Sequence, residues 1–267
     1  MAQTVVVTSP GTKTVSGAEQ SDPFAVDTWM RNNVRDGSTV GINGTYARSG
    51  NGSAYMQGTI ANTSKADMEY VFGGQYVSAF KLSDLTSLGY DYFRSSSSTA
   101  GQQFAPSLRM MIDEDGSFAT SGDRSVLVFE PVYNGSPIVS VDQWVSALIN
   151  GSSNLWWRQF GPGNTVEDPF GQLLSTYQSA NGVSSAGRTI TGNSMVYGLS
   201  SGIGSGWNGT DEGAVDNINV TAGNTNVTFN FEDPSAVVAT PEPASLALLA
   251  TGLVGIAGFA RRRRKTS

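Results

Sequence analysis

The sequence predicts an all-β protein: a β-sandwich with one short helix, followed by a single C-terminal transmembrane helix. Three observations carry that prediction. Glycine, serine, threonine and asparagine are abundant while only 14% of residues are charged, the composition of short strands joined by many turns. Short runs rich in β-branched and aromatic residues recur along residues 3–231, each bounded by Gly, Asn, Asp or Ser. From Pro241 onward the chain changes character, to an uncharged apolar run and then a basic cluster.

In order, the strand-like runs are QTVVVTS (3–9), STVGI (38–42), SAYMQGTI (53–60) and EYVFGGQYVSAFKL (69–82). LGYDYF (88–93), SLRMMI (107–112), SVLVFEPVY (125–133) and LWWRQF (155–160) follow. The last three are SMVYGL (194–199), AVDNINV (214–220) and NVTFNF (226–231), with Ala222-Gly223-Asn224 as a hairpin turn between the final pair. One segment reads differently. In DPFGQLLSTYQSANG, Asp168 can cap, Pro169 suits a first turn, and Phe170, Leu173, Leu174 and Tyr177 fall at i, i+3, i+4 and i+7. The spacing predicts a short helix closing one end of the sandwich. No repeat period is visible, which disfavours solenoids and propellers. Some 230 residues suffice for one well-cored sandwich.

The tail has its own logic. Residues 244–260 carry no charge, and 17 residues at about 1.5 Å each give roughly 26 Å of helix, the short end of what spans a bilayer. Pro241 and Pro243 forbid helix before the run. Arg261, Arg262, Arg263, Arg264 and Lys265 follow it, and the positive-inside rule keeps them in the cytoplasm. The expected organisation is a sandwich ectodomain over 1–232, a linker over 233–243, a transmembrane helix over 244–260 and a basic cytoplasmic tail over 261–267.

Pro241-Glu242-Pro243, the short apolar span and the terminal basic cluster together resemble the PEP-CTERM sorting signal of Gram-negative bacteria. The resemblance covers about a tenth of the chain. It implies export, transient anchoring in the inner membrane, recognition by an exosortase-type protease near Pro241–Pro243, and release to the cell surface or extracellular matrix, as in a biofilm. Those residues would then be recognition elements of a substrate. Export also requires an N-terminal signal, and MAQTVVVTSPGTKTV has no basic start and no apolar core beyond Val5–Val7. The expectation is a signal segment encoded upstream of Ala2-Gln3.

Composition excludes several classes. Residues 1–240 hold 11 basic and 21 acidic residues, a net of −10 that repels phosphate backbones and disfavours nucleic-acid binding. The chain has no cysteine, hence no disulfide, thiolate metal site or cysteine nucleophile. It has no histidine, the usual general base near neutral pH and the commonest metal ligand.

Two motif matches fail on context. GSGWNG (204–209) fits G-x-G-x-x-G, but TDEGAVDNINV after it is a strand and not the helix a dinucleotide site needs. GLSSG (198–202) fits G-x-S-x-G around Ser200, yet there is no imidazole to take the serine proton. Asp113, Asp115 and Asp123 place carboxylates beside a glycine turn, a set that suits calcium, although the EF-hand spacing is absent and Asp115-Gly116 is equally a plain hairpin turn. Glycosidase chemistry needs two carboxylates flanking a sugar bond. Glu130, Glu167 and Glu212 are available, but no Glu-x-Asp-x-Glu strand motif occurs. Asn-x-Ser/Thr occurs at Asn43, Asn51, Asn62, Asn134, Asn150, Asn208, Asn219 and Asn226, and Asn-Gly turns explain much of that number.

The tryptophans point to a ligand class. Neighbours on a strand face opposite ways, so Trp156 and Trp157 cannot enter the same core layer. One of them is a candidate for stacking on a sugar ring, with Arg158 on the face of Trp156, and Trp207 in the glycine-rich loop is another candidate. LGYDYFRSSSST, SVLVFEPVYNG, NLWW and GWNGTDEGAVDNINV resemble a recurring domain of exported bacterial proteins, whose closing strand is similar to that of concanavalin-like sandwiches. That resemblance implies a jelly-roll sandwich, often glycan-binding. The expectation is therefore a structural or adhesive surface protein with polysaccharide as its candidate ligand, not an enzyme and without a cofactor unless calcium serves. The competing class is a secreted carbohydrate-active enzyme of glycoside-hydrolase type on the same fold.

Overall fold

The computed structural model describes residues 2–12, 25–120, 122–160 and 171–235. Met1–Pro234 form one compact unit. The predicted helix 244–260, the Pro-Glu-Pro motif and the basic tail lie outside the described residues, among which no helix is long and apolar enough to cross a membrane.

The strands in chain order begin with β1 (Gln3–Val7), β2 (Gly11–Thr12), β3 (Trp29–Arg35), β4 (Thr39–Asn43), β5 (Ser53–Gly58) and β6 (Lys65–Val71). Next come β7 (Phe80–Lys81), β8 (Leu85–Arg94), β9 (Ser107–Asp113), β10 (Arg124–Phe129), β11 (Trp144–Ile149) and β12 (Asn154–Gln159). The chain continues through β13 (Gln172–Leu173), α1 (Leu174–Tyr177), β14 (Val183–Ser185), β15 (Arg188–Ile190), β16 (Met195–Ile203), β17 (Asp211–Ala222) and β18 (Thr225–Phe231).

They form two sheets and a small hairpin, β14–β15. In the seven-stranded sheet the long β17 is a spine: β8 and then β11 lie on one side, while β5 and β18 share the other side in series. Asp216, fully buried, sits where those two partners part. Its carboxylate accepts the backbone N–H of Ser49, Asn217 and Phe231, and Asn217 takes a positive φ of 50° there. The nine-stranded sheet runs β13-β12-β10-β9-β16-β6-β3-β2, with β7 on β16.

The sandwich is defined by contacts between the two inner faces. Trp29 of β3 meets Phe229 and Phe231 of β18 at ring separations of 5.4 and 5.2 Å, and Tyr90 of β8 meets Phe129 of β10 at 6.2 Å. Removing a side chain of this kind from water contributes roughly 1.5–3 kcal/mol each. Beyond β18 the chain stays fastened: Glu232 N–H donates to the Val7 carbonyl, Asn51 N–H to the Glu232 carboxylate (2.6 Å), and Asp233 N–H to the Asn51 side-chain oxygen (2.9 Å).

Most predicted strands stand within a few residues, and the turn before the last strand is Gly223-Asn224, with Gly223 at φ 53°. Three readings need correction. The run 69–82 is not one strand: β6 ends at Val71, and Asp27 accepts the N–H of Gly73 and Gln75 to hold a loop before β7. Residues 131–133 leave the strand as a turn of 3-10 helix begun by Pro131. Over 171–182 the helix is a single turn, α1, because Gln172–Leu173 pair with β12, while Asp168, Pro169 and Phe170 lie outside the described residues. Leu174 and Tyr177 are buried as the periodicity requires, whereas Leu173 is exposed.

Candidate functional site

Alternation along β12 sorts the adjacent tryptophans. Trp157 points inward and is fully buried in the core, while Trp156 stands on the outer face of the nine-stranded sheet with Arg158 beside it. Cross-strand register then places Trp156, Val128, Arg109, Ser200, Glu69 and Met30 in one row across six strands. Trp156 donates its indole N–H to a Glu130 oxygen at 2.9 Å, which fixes the ring on the sheet surface.

Next to it lies a buried polar network. Arg109 donates to Asp67 Oδ1 (2.7 Å) and Ser200 Oγ (3.2 Å), Lys65 pairs with Asp67 Oδ2 (2.8 Å), and Asn33 donates to the same oxygen (3.0 Å). Asn32 donates to Glu69 at 2.6 Å. Asp67 and Glu69 are both fully buried, and these donors replace the water that each carboxyl group has lost. Gly202 makes room: a Cβ there would overlap the Asp67 carboxylate.

The far wall is the loop after β16. Gly206 N–H donates to the Asn62 carbonyl (2.7 Å), and the Trp207 ring stacks on Phe104 at 4.8 Å and 6°. Arg94, buried, holds the Phe104 segment by donating to the carbonyls of Phe104 (2.8 Å) and Ala100 (2.7 Å). Between these walls is a cleft of about 200 Å³ lined by Lys65, Arg109, Glu130, Trp156, Arg158 and Trp207. That is below the ~300 Å³ at which a site encloses most of a drug-sized ligand, so a ligand here would be held along one face. Behind Trp207, Asp211 is 3% exposed and faces a cavity of about 10 Å³. Burial pushes its carboxyl up to about 7, against the pull of Arg94 and the nearby Ser98 hydroxyl.

A larger depression of about 410 Å³, bordered by Tyr92, Tyr133, Asn134, Leu148 and Asn154, holds no charged side chain. On the other sheet Tyr46 stacks on Phe93 at 4.2 Å and Phe93 meets Trp144 at 5.7 Å, while Glu212 accepts the hydroxyls of Tyr46 and Tyr55. Here the aromatics clasp a loop to the sheet.

Of the residues singled out in the sequence, Trp156, Arg158 and Trp207 come together in the cleft, and Trp157 does not. Glu130 joins them, Glu212 lies on the other sheet, and Glu167 is outside the described residues. Lys65, Phe104 and Arg109 carry no local signal: strand register places Lys65 and Arg109, and stacking on Trp207 places Phe104. Asp113, Asp115 and Asp123 converge at the β9–β10 turn, one carboxylate oxygen of each lying within 4.8 Å of the others. Three of the glycosylation sequons have their amides in use: Asn51 donates to the Asp233 carbonyl, Asn134 to the Glu130 and Asn154 carbonyls, and Asn219 to the Val227 carbonyl.

Comparison with known proteins identifies the tail. Residues 239–265 match the model of the PEP-CTERM protein-sorting motif. The chain is thus a mostly β sandwich that carries this motif, which indicates export, sorting to the cell surface and processing by exosortase-type machinery. No curated protein matches the chain. Among solved structures it is similar to a family 11 carbohydrate-binding module of the cellulosomal cellulase Lic26A-Cel5E of Clostridium thermocellum, at 15% identity and TM-score 0.41, over 78% of this chain and 96% of that one. A family 11 carbohydrate-binding module from Clostridium thermocellum in complex with a beta-1,3-1,4-mixed-linked tetrasaccharide gives 13% identity and TM-score 0.40, over 74% and 91%. An endo-beta-1,4-glucuronan lyase from the fungus Trichoderma reesei gives 11% and 0.40, over 78% and 93%. At these scores the likeness carries no argument about ligand or activity.

Proposed function

We propose that this is a structural or adhesive protein of the cell surface or extracellular matrix that binds a polysaccharide in the cleft on its nine-stranded sheet. The supporting observation is the pairing, in one open cleft, of flat aromatic side chains with polar groups fixed by buried ion pairs. Trp156 is oriented by Glu130, and Trp207 is backed by Phe104. Arg109 and Lys65 are held by Asp67, so they present donors without first losing rotamer freedom. A sugar ring offers an apolar face for the rings and hydroxyls for these donors. A cleft that holds a ligand along one face suits a polymer, whose neighbouring residues extend past both ends.

The apolar run 244–260 anchors the chain in the inner membrane until an exosortase-type protease acts near Pro241–Pro243. The test is binding of the purified chain to an array of bacterial and plant polysaccharides. Trp156→Ala should weaken the specific ligand about tenfold, the equivalent of roughly 1.4 kcal/mol, with an unchanged circular dichroism spectrum. Absence of any binding, or equal binding by the variant, would overturn the reading. Breakdown of the polysaccharide during the assay, lost in Glu130→Gln, would instead establish the carbohydrate-active enzyme.

A further inference from the structure

The turn between β9 and β10 concentrates carboxylates in a way that hydrogen bonding does not satisfy. Asp113 is fully buried; Arg124 takes its Oδ2, and its Oδ1 has no donor among the described residues. Asp123 is in deeper deficit, since both of its oxygens are out of water and neither has a donor among the described residues. Asp115, exposed at the tip, is steadied by the Ser117 N–H and the Thr120 hydroxyl, both at 2.7 Å. Arg188 is committed to Glu114 at 2.6 Å. A carboxylate removed from water without donors is unfavourable by several kcal/mol unless positive charge meets it. Together Asp113, Asp115, Asp123 and Arg124 carry two net negative charges.

We infer that Asp113, Asp115 and Asp123 bind a divalent cation, and that the cation is calcium. Oxygens bound to calcium at ~2.3–2.6 Å lie at most about 4.6–5.2 Å apart across the ion. The three carboxylates, each with one oxygen within 4.8 Å of the others, therefore fit a single such sphere. The three candidate ligands are all hard carboxylate oxygens, and the chain offers neither imidazole nor thiolate to join them, which suits calcium and not zinc or copper. The ion supplies the charge that the buried Asp113 and Asp123 oxygens lack, and water completes its shell. It also ties the exposed tip at Asp115 to the end of β9, the strand that carries Arg109 into the cleft.

The test is calorimetric titration of the full-length, chelator-treated chain with calcium chloride. One calcium per chain is expected, with Kd of order 10⁻⁴–10⁻³ M, the range of extracellular calcium modules. Asp123→Asn and, separately, Asp115→Asn should each weaken binding at least tenfold, while Asp36→Asn, on another loop, binds as the parent does. Asp115 is exposed, so its variant decides the matter should Asp123→Asn fail to fold. Lack of calcium binding tenfold above that range would overturn the assignment. So would binding that neither variant alters.

Discussion

Asp211 makes a quantitative prediction about stability and pH. In the unfolded chain its carboxyl ionises near the ordinary 3.8, whereas burial in the folded protein pushes it up to about 7. Between those values the folded state holds a proton that the unfolded state has released, so stability from this group is fully present below pH 4 and is lost as pH rises toward 7. About three pH units at 1.36 kcal/mol each put the loss on the order of 4 kcal/mol. Asparagine has the same shape without the charge. Asp211→Asn should therefore gain on the parent by that amount between pH 4 and pH 8, most of it before pH 7. Urea unfolding followed by circular dichroism at five pH values measures the difference between the two proteins, in which all other titrating groups cancel. Parallel curves for parent and variant across that interval would refute the assignment of a buried, proton-holding carboxyl at this site.

Two further outcomes follow from the packing. Trp157→Ala removes the largest side chain of β12 from the core and should destabilise by about 3–5 kcal/mol in urea unfolding, which separates it from the Trp156 variant that keeps its fold. Arg109→Met leaves Asp67 buried with Lys65 and Asn33 as remaining partners and should cost about 3 kcal/mol at pH 7, read the same way.

Much of the fold was legible because strands announce themselves by residue type. LWWRQF declared both its conformation and the opposite facing of its two tryptophans, and the structure needed only to say which faced inward. Other strands hid. β3 opens with core Trp29, but its later residues Asn32 and Asn33 are polar groups that serve the outer network, so no alternation showed. WVSALI of β11 is an edge strand on β8, and its alternation is blurred by exposed Leu148. Spacing at i, i+3 and i+4 records which side chains are buried and overstates helix length here, since one turn followed by a loop can bury Leu174 and Tyr177 as well as a longer helix can. The cleft was legible in Trp156, Arg158 and Trp207, and in Glu130, but not in its buried polar wall. Lys65, Asp67, Arg109 and Ser200 belong to three different strands, and nothing local says that these strands are neighbours.

The fastening of the last strand has a mechanical consequence. Any tension applied through the C-terminal chain enters the sandwich along β18, which lies between β1 and β17. The Asn51 clasp on Glu232 and Asp233 meets the load first. Behind it, the ladders on both sides of β18 lie across the direction of pull, so their bonds are sheared together and not peeled one by one. Before β18 could leave the sheet, a pull at that end would have to break two ladders at once.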